Sequence, residues 1–279
     1  MSETREAMLE RWERMAGGWK ATRAAFQRTA LPVSQWLVEA IHPQPGHRVL
    51  ELSAGLGDTG LLAAELVAPG GSVVITDGAE AMVQAAREHA EEIGAQNVEL
   101  RAMQAEWIDL PTASVDGVLS RFGYMLLVDP EAALRETRRV LKPGGRVALA
   151  VWAPLEDNPW TSVVREAIDA VGAGALVDPD RPGPFSLSAP GAVEELLDAA
   201  GFDDIEVEAL DLHFAAQSLD AWWDYVMQTS PSVADVVSAL APAEHYKLRD
   251  AVDAGYADHV RADGSLLLPA RALVAAATA

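Results

Sequence analysis

The chain of 279 residues contains no cysteine, which excludes disulfides, thiolate metal ligands and a cysteine nucleophile. Positive charge is scarce: 21 Lys and Arg stand against 42 Asp and Glu, for a formal net charge of -21. A surface of that sign repels phosphates, so nucleic acid is not expected as substrate or partner; the acidity serves solubility. Long apolar runs are missing too. No stretch reaches the roughly 18 uninterrupted apolar residues of a membrane span. Met1 to Glu10 alternates charges where a signal peptide would carry an apolar run, so a cytoplasmic protein without a membrane span is expected. Repeats and low-complexity linkers are absent, and no His/Asp/Glu cluster proposes a metal site. What remains is bulk. With 50% hydrophobic residues, the chain can bury a substantial core as one elaborated domain.

The segment Arg48 to Gly60 joins a buried-strand pattern to a glycine loop and then to a helix. Val49 and Leu50 are strand formers, Glu51 places a carboxylate at the strand's carboxyl end, and Gly55 and Gly57 allow close backbone approach to a ligand. Gly55, Gly57 and Gly60 also satisfy the G-x-G-x-x-G spacing of dinucleotide-binding proteins, a weak signal alone. Glu51 weighs against that reading, since it would add like-charge repulsion beside a pyrophosphate. A cationic ligand suits it better. The next strand, Ser72 to Thr76, ends in Asp77, and 77 − 55 = 22 residues after the first glycine is the spacing of an acid that holds ribose hydroxyls. Asp77 can also cap the helix that begins near Ala79.

Around this centre the periodicity predicts a helix over residues 3 to 28, interrupted at Gly17-Gly18, with an apolar stripe of Met8, Trp12, Met15, Trp19 and Phe26. A second helix is expected from Val33 to Ile41. Further strands are read at Val98 to Met103, Ser114 to Ser120, Arg146 to Trp152, and Ser265 to Val274, where Pro269 implies an irregular or edge position. Asp129 and Pro130 form an N-cap and first helical residue, and Leu196 to Phe202 ends a helix before a sixth strand. Residues 153 to 188 are rich in Pro, Gly and Asp with a helix from Thr161 to Val171, and residues 217 to 263 read as helices bearing Trp222 and Trp223.

Glu51 ahead of Gly55-x-Gly57, Asp77 after the next strand and the run Arg139-Val-Leu-Lys-Pro-Gly-Gly145 together resemble the class I, Rossmann-like S-adenosylmethionine-dependent methyltransferases. The Lys-Pro-Gly-Gly run is similar to the ubiquinone/menaquinone C-methyltransferase type, and its role is a turn. The resemblance covers about residues 45 to 154, with a weaker continuation in Ala189 to Val207. It implies an α/β fold with a seven-stranded, mostly parallel sheet flanked by helices. S-adenosylmethionine is the implied cofactor and S-adenosylhomocysteine the product. By matching position, the cradle residues are Glu51, Ser53, Ala54, Gly55, Gly57 and Thr59. Asp77 and Gly78 would face the ribose, and Met82 would pack on adenine. Gln104, Ala105, Glu106 and Trp107 would surround the adenine, and Ser120 and Arg121 the methionine moiety. Two departures are visible: Ser53 stands where the family usually has its first glycine, and Gln104 where it has an aspartate.

The core is read as 45–154, 187–214 and 264–279, and a helical cap as 1–44, 155–186 and 215–263. Trp12, Trp19, Tyr124, Trp160, Trp222 and Trp223 are the candidate substrate-pocket residues, favouring a small apolar or aromatic acceptor. Trp12 and Trp19 would belong to a flap closing over cofactor and substrate. In-line methyl transfer can proceed by alignment and water exclusion without a dedicated base. Tyr124, Asp157, His213 and His245 are candidates for one, but no spacing assigns it. His42, His47, His89 and His259 read as turn or helix-surface residues. Two other readings stay open on sequence: a methyltransferase-like protein that binds the cofactor without transferring methyl, and an NAD-dependent oxidoreductase. Neither the acceptor atom nor the oligomeric state, with a homodimer as candidate, is specified.

Overall fold

Short strand-forming runs alternating with helical patterns build a parallel sheet, because each crossover helix covers one face of the strands it connects. The computed structural model describes residues 5–173 and 182–279. The expected helix start at residues 3 and 4, and the stretch 174–181 of the Pro/Gly/Asp-rich segment, lie outside them. The strands are β1 (Arg48–Glu51), β2 (Ser72–Asp77), β3 (Val98–Ala102), β4 (Val115–Arg121), β5 (Leu141–Trp152), β6 (Asp203–Ala216) and β7 (Leu266–Thr278). Their order is β3-β2-β1-β4-β5-β7-β6, with β7 antiparallel to both neighbours and the other pairs parallel. This is the Rossmann-like, mostly parallel seven-stranded sheet expected. The chain leaves β1 towards β2 on one side, while β4 lies on the other. The loops after β1 and β4 therefore diverge, and that switch point opens a crevice at the strands' carboxyl ends.

The helices are α1 (Arg5–Ala40), α2 (Asp58–Val67), α3 (Glu80–Glu92), α4 (Pro130–Val140), α5 (Pro159–Ala170), α6 (Ala192–Ala199), α7 (Leu219–Thr229), α8 (Pro231–Ala239) and α9 (Pro242–Gly255). The N-terminal region corrects the expectation of two helices and a break. One helix of 36 residues runs through Gly17, Gly18 and Pro32. Its residues Ala30, Val33, Leu37 and Val38 are buried in the main core, and packing of this kind overrides local propensity. The second glycine has a packing reason: a Cβ on Gly18 would lie 2.2 Å from the backbone oxygen of Gln228 on α7. Asp129 does cap α4, accepting from the Ala132 amide at 2.8 Å.

The ladder of β5 begins at Leu141, earlier than Arg146, because Leu141 pairs with Val115 ahead of a register shift. Lys142 Nζ then reaches Asp116 Oδ1 at 2.7 Å, while Asp116 Oδ2 accepts from the Arg48 amide at 2.8 Å. The Lys-Pro-Gly-Gly run thus ties together the starts of β1, β4 and β5. β7 extends beyond its expected end, to Thr278. Only its residues 272–278 pair with β5, so Pro269, opposite His213 of β6, stands on an overhang with no β5 partner to lose. Among the described residues, no helix is long and apolar enough to cross a membrane.

Candidate functional site

At the crevice, β1 delivers Glu51 into the interior, where it is 1% exposed. Its Oε2 accepts from the Gly60 amide at 2.9 Å. A Cβ on Gly60 would come within 2.4 Å of that oxygen and 2.8 Å of Ile75, so only glycine fits. Burial pushes the Glu51 carboxyl up to about 8, against the opposing pull of Arg121 and the Gly60 amide. The loop turns through left-handed residues at Ser53, Gly55 and Gly57, with φ of 51, 56 and 76°. Ser53 thus keeps the backbone conformation natural to a glycine, at a cost of about 1–2 kcal/mol for a residue with a Cβ.

Asp77, at the end of β2, staples this loop to the turn before α3. Its Oδ2 accepts from the Gly55 amide at 2.8 Å and its Oδ1 from the Ala79 amide at 2.9 Å. Burial raises its carboxyl while these amides lower it. A carboxylate has about four acceptor positions, so roughly two remain for a diol. Beyond β3, Gln104 Oε1 is buried without a partner, beside Gly78. Met82 and Ala105 are buried. Glu106 is held by Arg5 at 3.2 Å, and the same guanidinium lies 4.3 Å over the exposed ring of Trp107.

At the end of β4, Ser120 Oγ is also buried and unpartnered. A Cβ on Gly123 would lie 2.5 Å from that oxygen and 2.6 Å from Ser53 Cβ, so the two serines border one narrow gap. Arg121 is already engaged: Nη1 donates to Gln27 Oε1 and to Ser34 Oγ, each at 2.8 Å, and Nη2 lies 3.5 Å from Asp58 Oδ2. Expected at the methionine moiety, this guanidinium is instead drawn to α1 and to the Asp58 carboxylate. Thr59 likewise turns to α1, its hydroxyl 2.9 Å from Ser34 Oγ. Sequence reasoning missed this network. Asp58 binds Arg23 Nε at 2.8 Å, and Arg23 in turn contacts His89. His89 is not a surface residue: it is buried behind the glycine loop, 3.4 Å from the Leu56 carbonyl, because α3 turns this face inward. Burial and Arg23 lower its pKa. Its spacing from Met82, two helical turns, was the available signal.

The candidates for a base are scattered. The Tyr124 hydroxyl is buried 2.5 Å from Thr137 Oγ1, and burial pushes it up. His213 is exposed on the β6 overhang. Nearby, Arg271 joins Asp157 and Asp211. His245 is on the surface of α9, 3.2 Å from the Leu240 carbonyl. Aromatic candidates are brought together more fully. Phe122 stacks on Trp152 at 4.1 Å, Trp152 meets Trp160 at 5.0 Å, Trp160 meets Phe214 at 4.9 Å, and Phe214 meets Trp222 at 5.4 Å. Trp12 and Trp19 join this chain through Phe26, which lies 5.0 Å from Trp19 and 6.1 Å from Phe122. Trp223 instead faces Arg249 at 6.0 Å. Among the described residues, no group of three or more His, Asp or Glu could hold a metal ion.

The cleft fits an adenosyl group. It offers an unpaired buried amide oxygen at Gln104, spare acceptor positions on Asp77, and a glycine cradle that a Cβ would fill. Fold and cleft together define an α/β protein built to bind a nucleoside-type cofactor at a switch point. Residues 52–149 match the family model described as "Methyltransferase domain". Over 224 residues the chain is 33% identical to nocamycin O-methyltransferase of Saccharothrix syringae, covering 75% of this chain and 77% of that one. It is also 33% identical to the ubiquinone/menaquinone biosynthesis C-methyltransferase UbiE of Cupriavidus taiwanensis, over 58% of this chain and 70% of that one. The solved YcgJ protein of Bacillus subtilis superposes with a TM-score of 0.57 at 20% identity, covering 88% of this chain and 97% of that chain. The chain belongs to the S-adenosylmethionine-dependent methyltransferases, and S-adenosylmethionine is its cofactor. The preference for a cationic cofactor over a dinucleotide is therefore correct.

Proposed function

We propose that the enzyme methylates a small, apolar or aromatic molecule. The observation that carries this reading is the aromatic wall from Phe122 and Trp152 through Trp160 and Phe214 to Trp222. It stands at the carboxyl ends of β4, β5 and β6, on the same edge of the sheet as Glu51, Asp77 and Arg121. Ring faces offer large apolar area at low entropic cost and hold a flat acceptor in register. Of the segments read as a cap, the described residues 5–24, 155–173, 182–186 and 215–263 cover this wall, while α1 from Ala25 onward belongs to the core, and the net charge of -21 turns away polyanionic acceptors. Such an enzyme works in the cytoplasm on free metabolites.

Within the cleft, Asp77 holds the ribose hydroxyls, Gln104 accepts from the adenine amino group, and Ser53 and Ser120 border the methionine end. Glu51 orders the loop through the Gly60 amide and favours the cofactor's positive charge through its buried carboxyl. The bound cofactor supplies an electrophilic methyl on a sulfonium, and the protein's share is alignment and exclusion of water. Tyr124, fixed on Thr137, is not the base in this reading.

A panel of flat apolar hydroxyl, amine and carbon-acid acceptors should yield S-adenosylhomocysteine and a product heavier by one methylene, with charged polar metabolites inert. Turnover confined to the polar set would remove the aromatic wall from the reading. Asp77→Ala should weaken cofactor binding by at least about tenfold, through loss of hydrogen bonds to a charged group. Unchanged affinity in a folded variant would take Asp77 out of the site.

A further inference from the structure

The two halves of α1 pack in different ways. From Ala25 and Phe26 onward the helix belongs to the main core. Ahead of them Trp12, Ala16 and Trp19 join a separate small cluster with Leu56, Ala79, Met82 and Ala85, which are residues of the glycine loop and of the turn and helix after Asp77. Contact here is direct. A Cβ on Gly78 would lie 2.8 Å from Leu9 Cδ2. The Glu13 carboxylate accepts from the amides of Glu80 at 2.6 Å and Ala81 at 3.0 Å, and so occupies the N-terminus of α3. Leu9, Trp12 and Glu13 therefore rest on residues 78–82, where an adenosyl group would have to lie.

The rest of this contact is charged. Arg5 pairs with Glu106, Lys20 with Glu88 and Arg23 with Asp58. Of these, Arg5–Glu106 lies ahead of Gly17-Gly18, while Lys20 and Arg23 hold the following turns of α1 to α3 and α2. Between the two halves lie Gly17 and Gly18, the residues least able to stiffen a helix. The closed arrangement also leaves Trp19 Nε1 and Gln104 Oε1 buried without partners, so it holds the cleft without satisfying it.

We propose that the N-terminal half of α1 is the gate of the cofactor cleft, with Glu13 as its latch and the Gly17-Gly18 pair as its hinge. This rests on the reading that the cofactor lies between the Gly55 loop, Asp77 and Gln104. Cofactor enters only the molecules whose gate is open, so the apparent association rate is the intrinsic rate scaled by the open fraction. Glu13 and the Arg5–Glu106 pair, both ahead of the hinge, set that fraction. Leu9 and Trp12 then close over the bound adenosyl group and reseal the cleft.

Stopped-flow association of S-adenosylhomocysteine with the full chain, read by tryptophan fluorescence from Trp12 and Trp19, tests the gate. The ligand carries no net charge, so ionic strength acts on the gate's ion pair rather than on the encounter. Glu13→Gln should accelerate association by at least about threefold, in proportion to the open fraction. Gly17→Ala, whose added methyl meets nothing within 4 Å, should slow it by a similar factor by stiffening the hinge. The unmodified chain should associate faster as salt rises from about 0.05 to about 0.5 M. That arm needs no variant to fold. Equal rates for both variants and at both salt concentrations, with Asp77-dependent equilibrium binding intact, would overturn the gate alone. Absence of binding, or affinity indifferent to Asp77→Ala, would overturn the site reading and the gate with it.

Discussion

At the scale of single residues, the site turns on a carboxyl that is expensive to ionise. Glu51 is buried and pushed up to about 8 from its ordinary 4.5. Between those two values the folded chain holds a proton that the unfolded chain has lost. The stabilisation this provides is complete below pH 4.5 and disappears as pH rises through 8. In the proposed reading the cationic cofactor lies near enough to Glu51 to reverse that preference, because it favours the carboxylate. Affinity for S-adenosylmethionine should therefore rise with pH, by up to about tenfold per pH unit below 8, and level off above. Calorimetry near pH 7 in buffers of different ionisation enthalpy should show release of up to about one proton on binding. Glu51→Gln should abolish the part of both effects that does not belong to the ligand's own ammonium group. Indifference of the affinity to pH, with the same proton count in the variant, would remove Glu51 from the binding linkage. Glu51 and Asp77 were legible because their spacing from the glycines is set by one strand and one strand-helix-strand unit. Asp58, Arg23 and His89 were not, since their encounter depends on α1 crossing the sheet 35 and 66 residues away from its partners. Nor could composition show that Ser53 would accept a φ of 51°.

At the scale of elements, β1 to β4 were legible because each is a short apolar run ended by a turn or a chemical residue, and their bounds agree to within a residue, whereas β5 and β7 run four or five residues past theirs and the acidic β6 shows no such run. The first helix was misread at its glycines. Local propensity places a break at Gly17-Gly18, but Ala30, Val33, Leu37 and Val38 bury α1 so completely in the main core that the helix is carried past the weak point. Its two halves should therefore differ in what they contribute to stability. Leu37→Ala removes a side chain that is 0% exposed and should cost about 3 kcal/mol, the usual range for a buried leucine being about 2–5 kcal/mol. Leu9→Ala, on the gate side, should cost less than about 1 kcal/mol, as a half-buried position outside both hydrophobic clusters. Urea denaturation followed by far-ultraviolet circular dichroism separates the two. Equal losses would mean that both halves of α1 are parts of one core.

At the scale of the whole molecule, the charge imbalance opposes the fold that the core sustains. The net charge is -21, and one edge strand, β6, carries Asp203, Asp204, Glu206, Glu208 and Asp211 along its length. Only some of these are answered: Arg271 meets Asp211 at 2.8 Å, and Arg146 lies 3.8 Å from Glu206. An edge so charged resists pairing with a second sheet, but the same charges repel one another in the compact state more than in the extended one. Screening should relieve that repulsion, since the Debye length shrinks from about 10 Å at 0.1 M to about 3 Å at 1 M salt. The unfolding midpoint in sodium chloride should accordingly climb by roughly 2–4 °C for each 1 kcal/mol recovered, and a gain of at least about 1 kcal/mol is expected between 0.05 and 0.5 M. Scanning calorimetry of the cofactor-free chain at pH 7.5 measures it. The opposing contribution comes from ion pairs such as Lys142–Asp116 and Arg23–Asp58, which the same salt weakens. A falling midpoint would mean that these few contacts outweigh the repulsion of the whole surface, and that the acidity is held in local pairs rather than spread as a field.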